Sequence, residues 1–239
     1  MPTSEPEKVI VKVGEETVTS LLYLAPKKTR QGITLILGHG AGGNQLSPFM
    51  RMTASGLASR GIDALTFNFL YSEKRRGAPD RKDKLEACYL AVIESVLENR
   101  KLKGNRLAIG GKSMGGRIAS QVGAALEASE LSLEEDGEIS ALVFLGYPLH
   151  PPGKPEQLRD AHLKHINAPM LYIQGTKDPF GTPDELRAVI KKHHLDATLY
   201  LIEGGDHSFK VPKTSELTQQ EVYESLLHKA VEWLSEARS

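Results

Sequence analysis

The segment GKSMG at residues 111–115 has the pattern Gly-x-Ser-x-Gly, which is typical of a turn that carries a nucleophilic serine. A short apolar run at 106–110 precedes it and predicts a strand, and residues 116–122 have helical periodicity. A serine on a sharp strand-to-helix turn projects its hydroxyl outward, and small neighbours allow the strained backbone that such a turn needs. The pattern and its context therefore predict that Ser113 is a nucleophile.

Two phosphate-binding motifs share some of these residues, and both fail. A P-loop requires glycine where this chain has Arg106, and the dinucleotide pattern requires glycine where it has Lys112. The simplest alternative is a glycine-rich turn that only packs a helix on a sheet. The choice depends on whether the chain supplies partners for Ser113.

A serine hydroxyl is a poor nucleophile unless a base lies within hydrogen-bond reach, and that base in turn needs an orienting group. Asp178 and His207, further along the chain, are residue types that can fill these two roles. Ligands on parallel sheets bind at the carboxyl ends of the strands. Five polar candidates each follow the end of a predicted strand: His39, Ser113, Tyr147, Asp178 and His207.

The composition fits one large domain over residues 1–239, with 40% hydrophobic and 25% charged residues. Thirty basic and thirty acidic residues balance, so we expect neither a nucleic-acid surface nor a polybasic membrane patch. No stretch approaches the ~20 apolar residues of a membrane span, and the first eight residues lack the apolar run of a signal peptide. The single cysteine, Cys88, lies in an apolar stripe and is expected in the core. A cytoplasmic location is predicted.

Strands and helices alternate after an opening hairpin at 9–13 and 17–24. This alternation predicts an α/β fold with a mostly parallel central sheet of about eight strands and helices on both faces. A polar loop is predicted at 68–77, followed by a helix to about residue 99 with Asp83 and Glu86 as a capping box. A short helical segment is predicted at 156–165, and a helix start at Thr182, Pro183 and Glu185. A closing helix is predicted at 215–236.

Four motifs, HGAGG at 39–43, GKSMGG at 111–116, GYPLH at 146–150 and GDH at 205–207, give the chain a resemblance to a known family. It resembles the α/β-hydrolases, in particular the small cap-poor, dienelactone-hydrolase-like members, and among these the KANL/Tex-type group. The resemblance covers nearly the whole chain. It implies a single-domain α/β-hydrolase fold and a serine hydrolase.

The chemistry of such a site assigns a role to each residue. Ser113 attacks, His207 takes and returns the proton, and Asp178 orients the imidazole. Backbone N–H groups of Ala41 and Met114 are expected to form the oxyanion hole, the latter because Met114 opens a helix. Asp206 is adjacent to His207, but neighbouring loop side chains usually point apart, so it is expected to brace its own loop. No cofactor fingerprint and no metal ligand set are found.

The substrate pocket is less specified by the sequence. His39 is expected mainly to brace its glycine loop, and His39, Tyr147 and His150 are tentative pocket residues. The interval between 145 and 169 is too short for a large helical lid, so we expect a shallow pocket that takes short acyl chains. The expected partner is a small-molecule ester or thioester. A peptidase or amidase, and a non-catalytic binding scaffold, remain alternatives, and the oligomeric state is open.

Overall fold

The computed structural model describes residues 5–133 and 137–237. Within them, the strands form one eight-stranded sheet in the order β1-β2-β4-β3-β5-β6-β7-β8. The strands are β1 Glu7–Val13, β2 Glu16–Tyr23, β3 Ile33–Gly38, β4 Asp63–Phe67, β5 Arg106–Lys112, β6 Ile139–Leu145, β7 Met170–Gly175 and β8 Ala197–Ile202. The α-helices are α1 Pro48–Ser59, α2 Leu70–Glu73, α3 Lys82–Leu97, α4 Met114–Glu127, α5 Pro183–His193 and α6 Gln219–Glu236.

The sheet is mostly parallel, as predicted. The hairpin of β1 and β2 pairs antiparallel and joins the sheet through an antiparallel β2–β4 contact. From β4 through β3 to β8, every neighbouring pair is parallel. The carboxyl ends of β3, β5, β6, β7 and β8 therefore meet at one edge, which is where the candidate residues lie.

Helices cover both faces of the sheet, because the buried strands present apolar side chains to each side. On β6, Leu142 and Phe144 pack into the core beneath α3 and α4, whereas Val143 and Leu145 pack into the core beneath α1 and α6. Burying a side chain of this size contributes ~1.5–3 kcal/mol. Within residues 5–133 and 137–237, no helix is both long and apolar enough to cross a lipid bilayer.

The start of α4 lies directly against the end of β3. A Cβ atom on Gly115 would lie 2.1 Å from the carbonyl oxygen of Gly38, so only glycine permits this approach. The contact brings the turn before α4 next to the loop that follows β3. The sequence therefore uses a glycine of the Gly-x-Ser-x-Gly pattern to join two parts of the site.

Four local predictions need correction. The predicted polar loop at 68–77 contains the short helix α2, whose Leu70 and Tyr71 are buried. The predicted helical segment at 156–165 is irregular apart from a 3₁₀ turn at Leu163–His165. The helix α3 is preceded by Arg81, with no side-chain cap from the predicted capping box. The closing helix begins four residues later than predicted, after a Thr218–Glu221 capping box.

Other predictions are confirmed. Thr182 accepts the backbone N–H of Glu185 and forms a complete capping box, with proline in the first turn of α5. Cys88 is fully buried in the core. Between β6 and β7 the only helical element described is the 3₁₀ turn, so no large lid covers the sheet edge.

His39, just beyond β3, braces the glycine loop from inside the protein. Its side chain is fully buried, its Nε2 accepts the backbone N–H of Phe69 at 3.2 Å, and its Nδ1–H donates to the carbonyl of Gly40 at 2.8 Å. These contacts require a neutral imidazole that carries its hydrogen on Nδ1. Burial lowers the pKa of His39 to about 4, with the Gly40 hydrogen bond acting in the opposite direction.

The low pKa of His39 predicts an acid-sensitive fold. Between pH 6.5 and about 4 the unfolded chain binds a proton that the folded protein excludes, so the free energy of unfolding falls as pH falls through this window. The substitution His39→Gln removes this pH-dependent contribution to the free energy of unfolding. We expect the wild-type advantage over the variant to shrink by about 3 kcal/mol between the two pH limits, measured by urea denaturation.

The exposed His228 provides the matched control for this measurement, since His228→Gln removes a histidine that is not buried. That variant should track the wild type at every pH. Parallel stability profiles for wild type and His39→Gln would contradict the prediction.

Candidate active site

Ser113 occupies the sharp turn between β5 and α4. Its backbone has φ 52° and ψ −118°, a conformation that a side-chain-bearing residue adopts only when its surroundings enforce it. Its N–H donates to the carbonyl of Leu145 on β6, and its own carbonyl accepts the N–H of Arg117 in the first turn of α4. The turn is thus fixed on both sides, and the hydroxyl is held at the carboxyl edge of the sheet.

The imidazole of His207 lies between Ser113 and Asp178. Its Nε2 is 2.8 Å from the Oγ of Ser113, and its Nδ1 is 2.7 Å from the Oδ2 of Asp178. The ring of Phe180 packs against the imidazole, with 4.1 Å between the centroids. The three residues that the sequence predicts as nucleophile, base and acid are therefore joined in one hydrogen-bonded chain.

Asp178 is buried, and both carboxylate oxygens have hydrogen-bond donors. Oδ2 accepts from His207 and from the Nε2 of Gln174 at 2.9 Å, and Oδ1 accepts from the N–H of Phe180 at 2.8 Å. Because a buried carboxylate is stable only when its oxygens are paired, this set fixes the side chain in one orientation. An ionised carboxylate is acceptor-only, so the Nδ1 of His207 carries the hydrogen and its Nε2 can accept one from Ser113.

Asp206 braces its own loop, as predicted. Its Oδ1 accepts the backbone N–H groups of Ser208 at 2.7 Å and of Lys210 at 2.9 Å. The carboxylate therefore holds the turn that carries His207, while the imidazole itself is oriented by Asp178.

The two residues predicted for the oxyanion hole belong to the two segments that adjoin Ser113. Met114 is the first residue of α4, where backbone N–H groups have no acceptor within the helix. Ala41 lies in the loop whose Gly40 passes close to Ser113, since a Cβ on Gly40 would lie 3.6 Å from the Cβ of Ser113. The hydroxyl of Tyr71 donates to the carbonyl of Ala41 at 2.9 Å and holds this loop in place.

The three tentative pocket residues are buried, with polar atoms paired to protein groups. The Tyr147 hydroxyl lies 3.1 Å from the Oγ of Ser120, and His150 lies 3.3 Å from the carboxylate of Glu185 on α5. His39 is paired with Phe69 and Gly40, as described above. A residue that lines an open pocket needs exposed surface, so the structure does not support this role for His39, Tyr147 or His150.

Two residues that sequence analysis did not single out contact the triad. Gln174, which ends the apolar run of β7, bonds to Asp178 and to the backbone of Tyr147 and Gly181. Lys112 donates from Nζ to the backbone carbonyl of His207 at 2.6 Å. The available signal in both cases was a polar residue at the carboxyl end of an otherwise buried strand.

No cluster of three or more histidine, cysteine or acidic side chains able to hold a metal ion occurs in the described part of the chain. The pair of Ser113 and His207 has the chemistry of a serine with a general base. The arrangement has the parts needed for acyl transfer: a nucleophile, a base, an orienting acid and nearby backbone donors.

Comparison with known proteins agrees with this fold. A family profile described as "Alpha/beta hydrolase domain" matches residues 31–235. Among solved structures, dienelactone hydrolase from Anabaena variabilis superposes with a TM-score of 0.72 at 22% identity, covering 98% of this chain and all (100%) of that one.

Two further structures superpose at a similar level. An α/β serine hydrolase without a lid from Xanthomonas campestris has a TM-score of 0.72 at 20% identity, covering 96% of this chain and 95% of that one. The Pyrococcus furiosus esterase Pf2001 has a TM-score of 0.73 at 16% identity, with 98% and 92% covered. At these identities the superpositions establish the fold, and the family profile, which spans most of the chain, establishes that this protein belongs to the α/β-hydrolase family.

Proposed function

We propose that the protein is a serine hydrolase that cleaves a small carboxylic ester or thioester through an acyl-enzyme intermediate. The observation that carries this proposal is the hydrogen-bonded chain from Ser113 through His207 to Asp178, with donor–acceptor distances of 2.8 and 2.7 Å. Geometry of this kind is how such a triad is recognised, because the roles depend on mutual placement and not on position in the sequence.

The first half of the reaction uses His207 as a base. The Oγ of Ser113 attacks the carbonyl carbon of the ester, and its proton passes to the Nε2 of His207. The imidazolium that forms is stabilised by Asp178. The imidazolium then gives the proton to the departing alcohol or thiol as the bond from the acyl carbon to the leaving group breaks, which leaves the acyl group on Ser113.

The second half repeats these steps with water. His207 removes a proton from a water molecule, which attacks the acyl carbon, and the proton returns to Ser113 as the acid product leaves. In both halves the negative oxygen of the tetrahedral intermediate is placed near the N–H groups of Ala41 and Met114. Each such donor contributes ~2.7–4 kcal/mol to the transition state in comparable sites.

Ester chemistry is favoured over the amidase alternative by the similarity to a dienelactone hydrolase and to an esterase. A small substrate is favoured because, among the described residues, the only helical element between β6 and β7 is a 3₁₀ turn and the His207 side chain is 18% exposed. The imidazole of His207 is therefore reached directly from solvent.

The first test is covalent labelling of Ser113. A fluorophosphonate probe should label the wild-type protein and leave Ser113→Ala unlabelled, because only an activated serine reacts with it at an appreciable rate. The exposed Ser208, on the same side of the sheet, supplies the control: Ser208→Ala should label like the wild type. Equal labelling of wild type and Ser113→Ala, or none of either, would contradict the proposal.

The second test separates the two acids near His207. Asp178→Asn should lower kcat on the order of 10⁴-fold, because an amide in that place no longer favours the tautomer that leaves Nε2 free to accept a proton. Asp206→Asn keeps an oxygen that can accept the same two backbone N–H groups, so its kcat should stay close to that of the wild type. Steady-state hydrolysis of one ester by both variants is the measurement, and the reverse ranking would mean that the acids are misassigned.

The third test concerns acyl chain length. A shallow, lid-free site offers little apolar surface, so acetyl and butyryl esters should be hydrolysed with higher kcat/KM than palmitoyl esters of the same alcohol. The three esters are compared below the concentration at which the long chain forms micelles. A kcat/KM that rises steadily with chain length would show that an extended acyl site exists.

A further inference from the structure

Lys112, the last residue of β5, links the strand that carries Ser113 to the loop that carries His207. Its Nζ donates to the backbone carbonyl of His207 at 2.6 Å across a sequence separation of 95 residues. The residue at one end of this bond precedes the nucleophile, and the residue at the other end is the base itself. The contact therefore joins the strand that ends next to the proposed nucleophile to the main chain of its base.

Phe209 and Gly146 lie next to the Lys112 ammonium and favour its position. It lies over the ring of Phe209, 5.4 Å from the centroid, where a cation is attracted to the aromatic face. Gly146, with φ 68°, also adjoins the ammonium, because an added Cβ there would lie 2.9 Å from Nζ and 3.1 Å from the His207 carbonyl oxygen. Glycine at this position leaves the space that the lysine and the carbonyl share.

The other main-chain bonds of this loop run to the loop itself, to the loop after β7 and to α6. Asp206 ties the loop to itself through Ser208 and Lys210. The carbonyl of Gly205 accepts from the N–H of Lys177, and the carbonyl of Phe209 accepts from Gln219 on α6. Among the contacts of the described residues, the Lys112–His207 bond joins the main chain of this loop to β5.

We propose that Lys112 is a positioning residue, whose ammonium holds the His207 main chain in register with Ser113 so that the Nε2–Oγ hydrogen bond keeps its length. It does not touch the reacting atoms. The inference rests on the proposed function, since it assigns Lys112 a part in the same serine–histidine chemistry. Displacements on the order of 1 Å in such a site reduce rates by about 100-fold.

The charge on Lys112 gives this role a pH signature. Burial lowers the pKa of Lys112 to about 8, and the nearby carboxylates of Asp178 and Asp206 oppose that shift. The groups that face the ammonium are these two acids and the imidazole of His207. A charged donor makes the stronger hydrogen bond to a carbonyl, so the constraint weakens as the ammonium loses its proton above pH 8.

The experiment compares wild type, Lys112→Met, Lys112→Arg and, as a control, Lys210→Met, which removes an exposed lysine from the His207 loop. We expect Lys112→Met to lower kcat about 10- to 100-fold with KM within two-fold of wild type, and Lys112→Arg to recover part of the loss. Lys210→Met should match the wild type. The inference is overturned if Lys112→Met keeps a wild-type kcat, if only its KM changes, if Lys112→Arg recovers nothing, or if Lys210→Met loses as much.

A pH profile provides the second measurement and covers the case in which Lys112→Met does not fold. The kcat of the wild type should fall several-fold above pH 8, after subtraction of spontaneous hydrolysis, whereas Lys112→Arg stays charged and should keep its rate. Identical alkaline limbs for the two proteins would overturn the inference. Failure of the proposed function looks different, because wild type would then react neither with esters nor with the fluorophosphonate probe in any arm.

Discussion

The site depends on a backbone conformation that Ser113 would not adopt alone. A non-glycine residue at φ 52° costs ~1–3 kcal/mol, and this strain persists because the surrounding structure leaves no alternative. β5 enters the turn paired on both sides, and α4 leaves it in contact with the end of β3. The parallel sheet thus holds the serine hydroxyl outward at the edge where the other two side chains arrive.

With Ser113 held in place, the rest of the site depends on hydrogen bonds that pair its partly buried polar and charged side chains. Asp178 is kept as a buried acceptor by three donors, and one of these is the imidazole it orients. In the loop after β3, the neutral His39 likewise accepts one backbone N–H and donates to one backbone carbonyl. Asp178 and His39 each have protein partners that set the direction of their polar atoms, so this part of the geometry is built before a substrate binds.

Much of this could be predicted because the relevant signals are local. Apolar strand runs and helix periodicity give the alternation of elements, and it follows from a parallel sheet that residues just beyond strand ends meet. Ser113, Asp178 and His207 could be placed at this edge on those grounds, and the resemblance to the α/β-hydrolases selected them from the five candidates there. The capping box at Thr182 could also be predicted, because Thr182 and Glu185 lie within four consecutive residues.

What could not be predicted depends on contacts between distant segments. The position of Tyr147 and His150 on a loop at the sheet edge predicts that they face a pocket, but both are buried and hydrogen-bond to Ser120 and Glu185 on two separate helices. The segment at 156–165 contains good helix formers, yet the N–H of Arg159 is used by the carbonyl of Leu149. Gln174 resembles any polar residue at a strand end until its three partner residues, Tyr147, Asp178 and Gly181, are known.

The order of the triad along the chain also governs when the site can first exist. His207 follows the last strand of the sheet and pairs with a serine 94 residues earlier. Contacts this distant in sequence form only after loops of high closure entropy have been brought together. A chain still being synthesised, or one cut before β8 docks, holds a serine without its base. Under the function we propose, Ser113 is therefore unreactive toward esters and thioesters until folding is essentially complete.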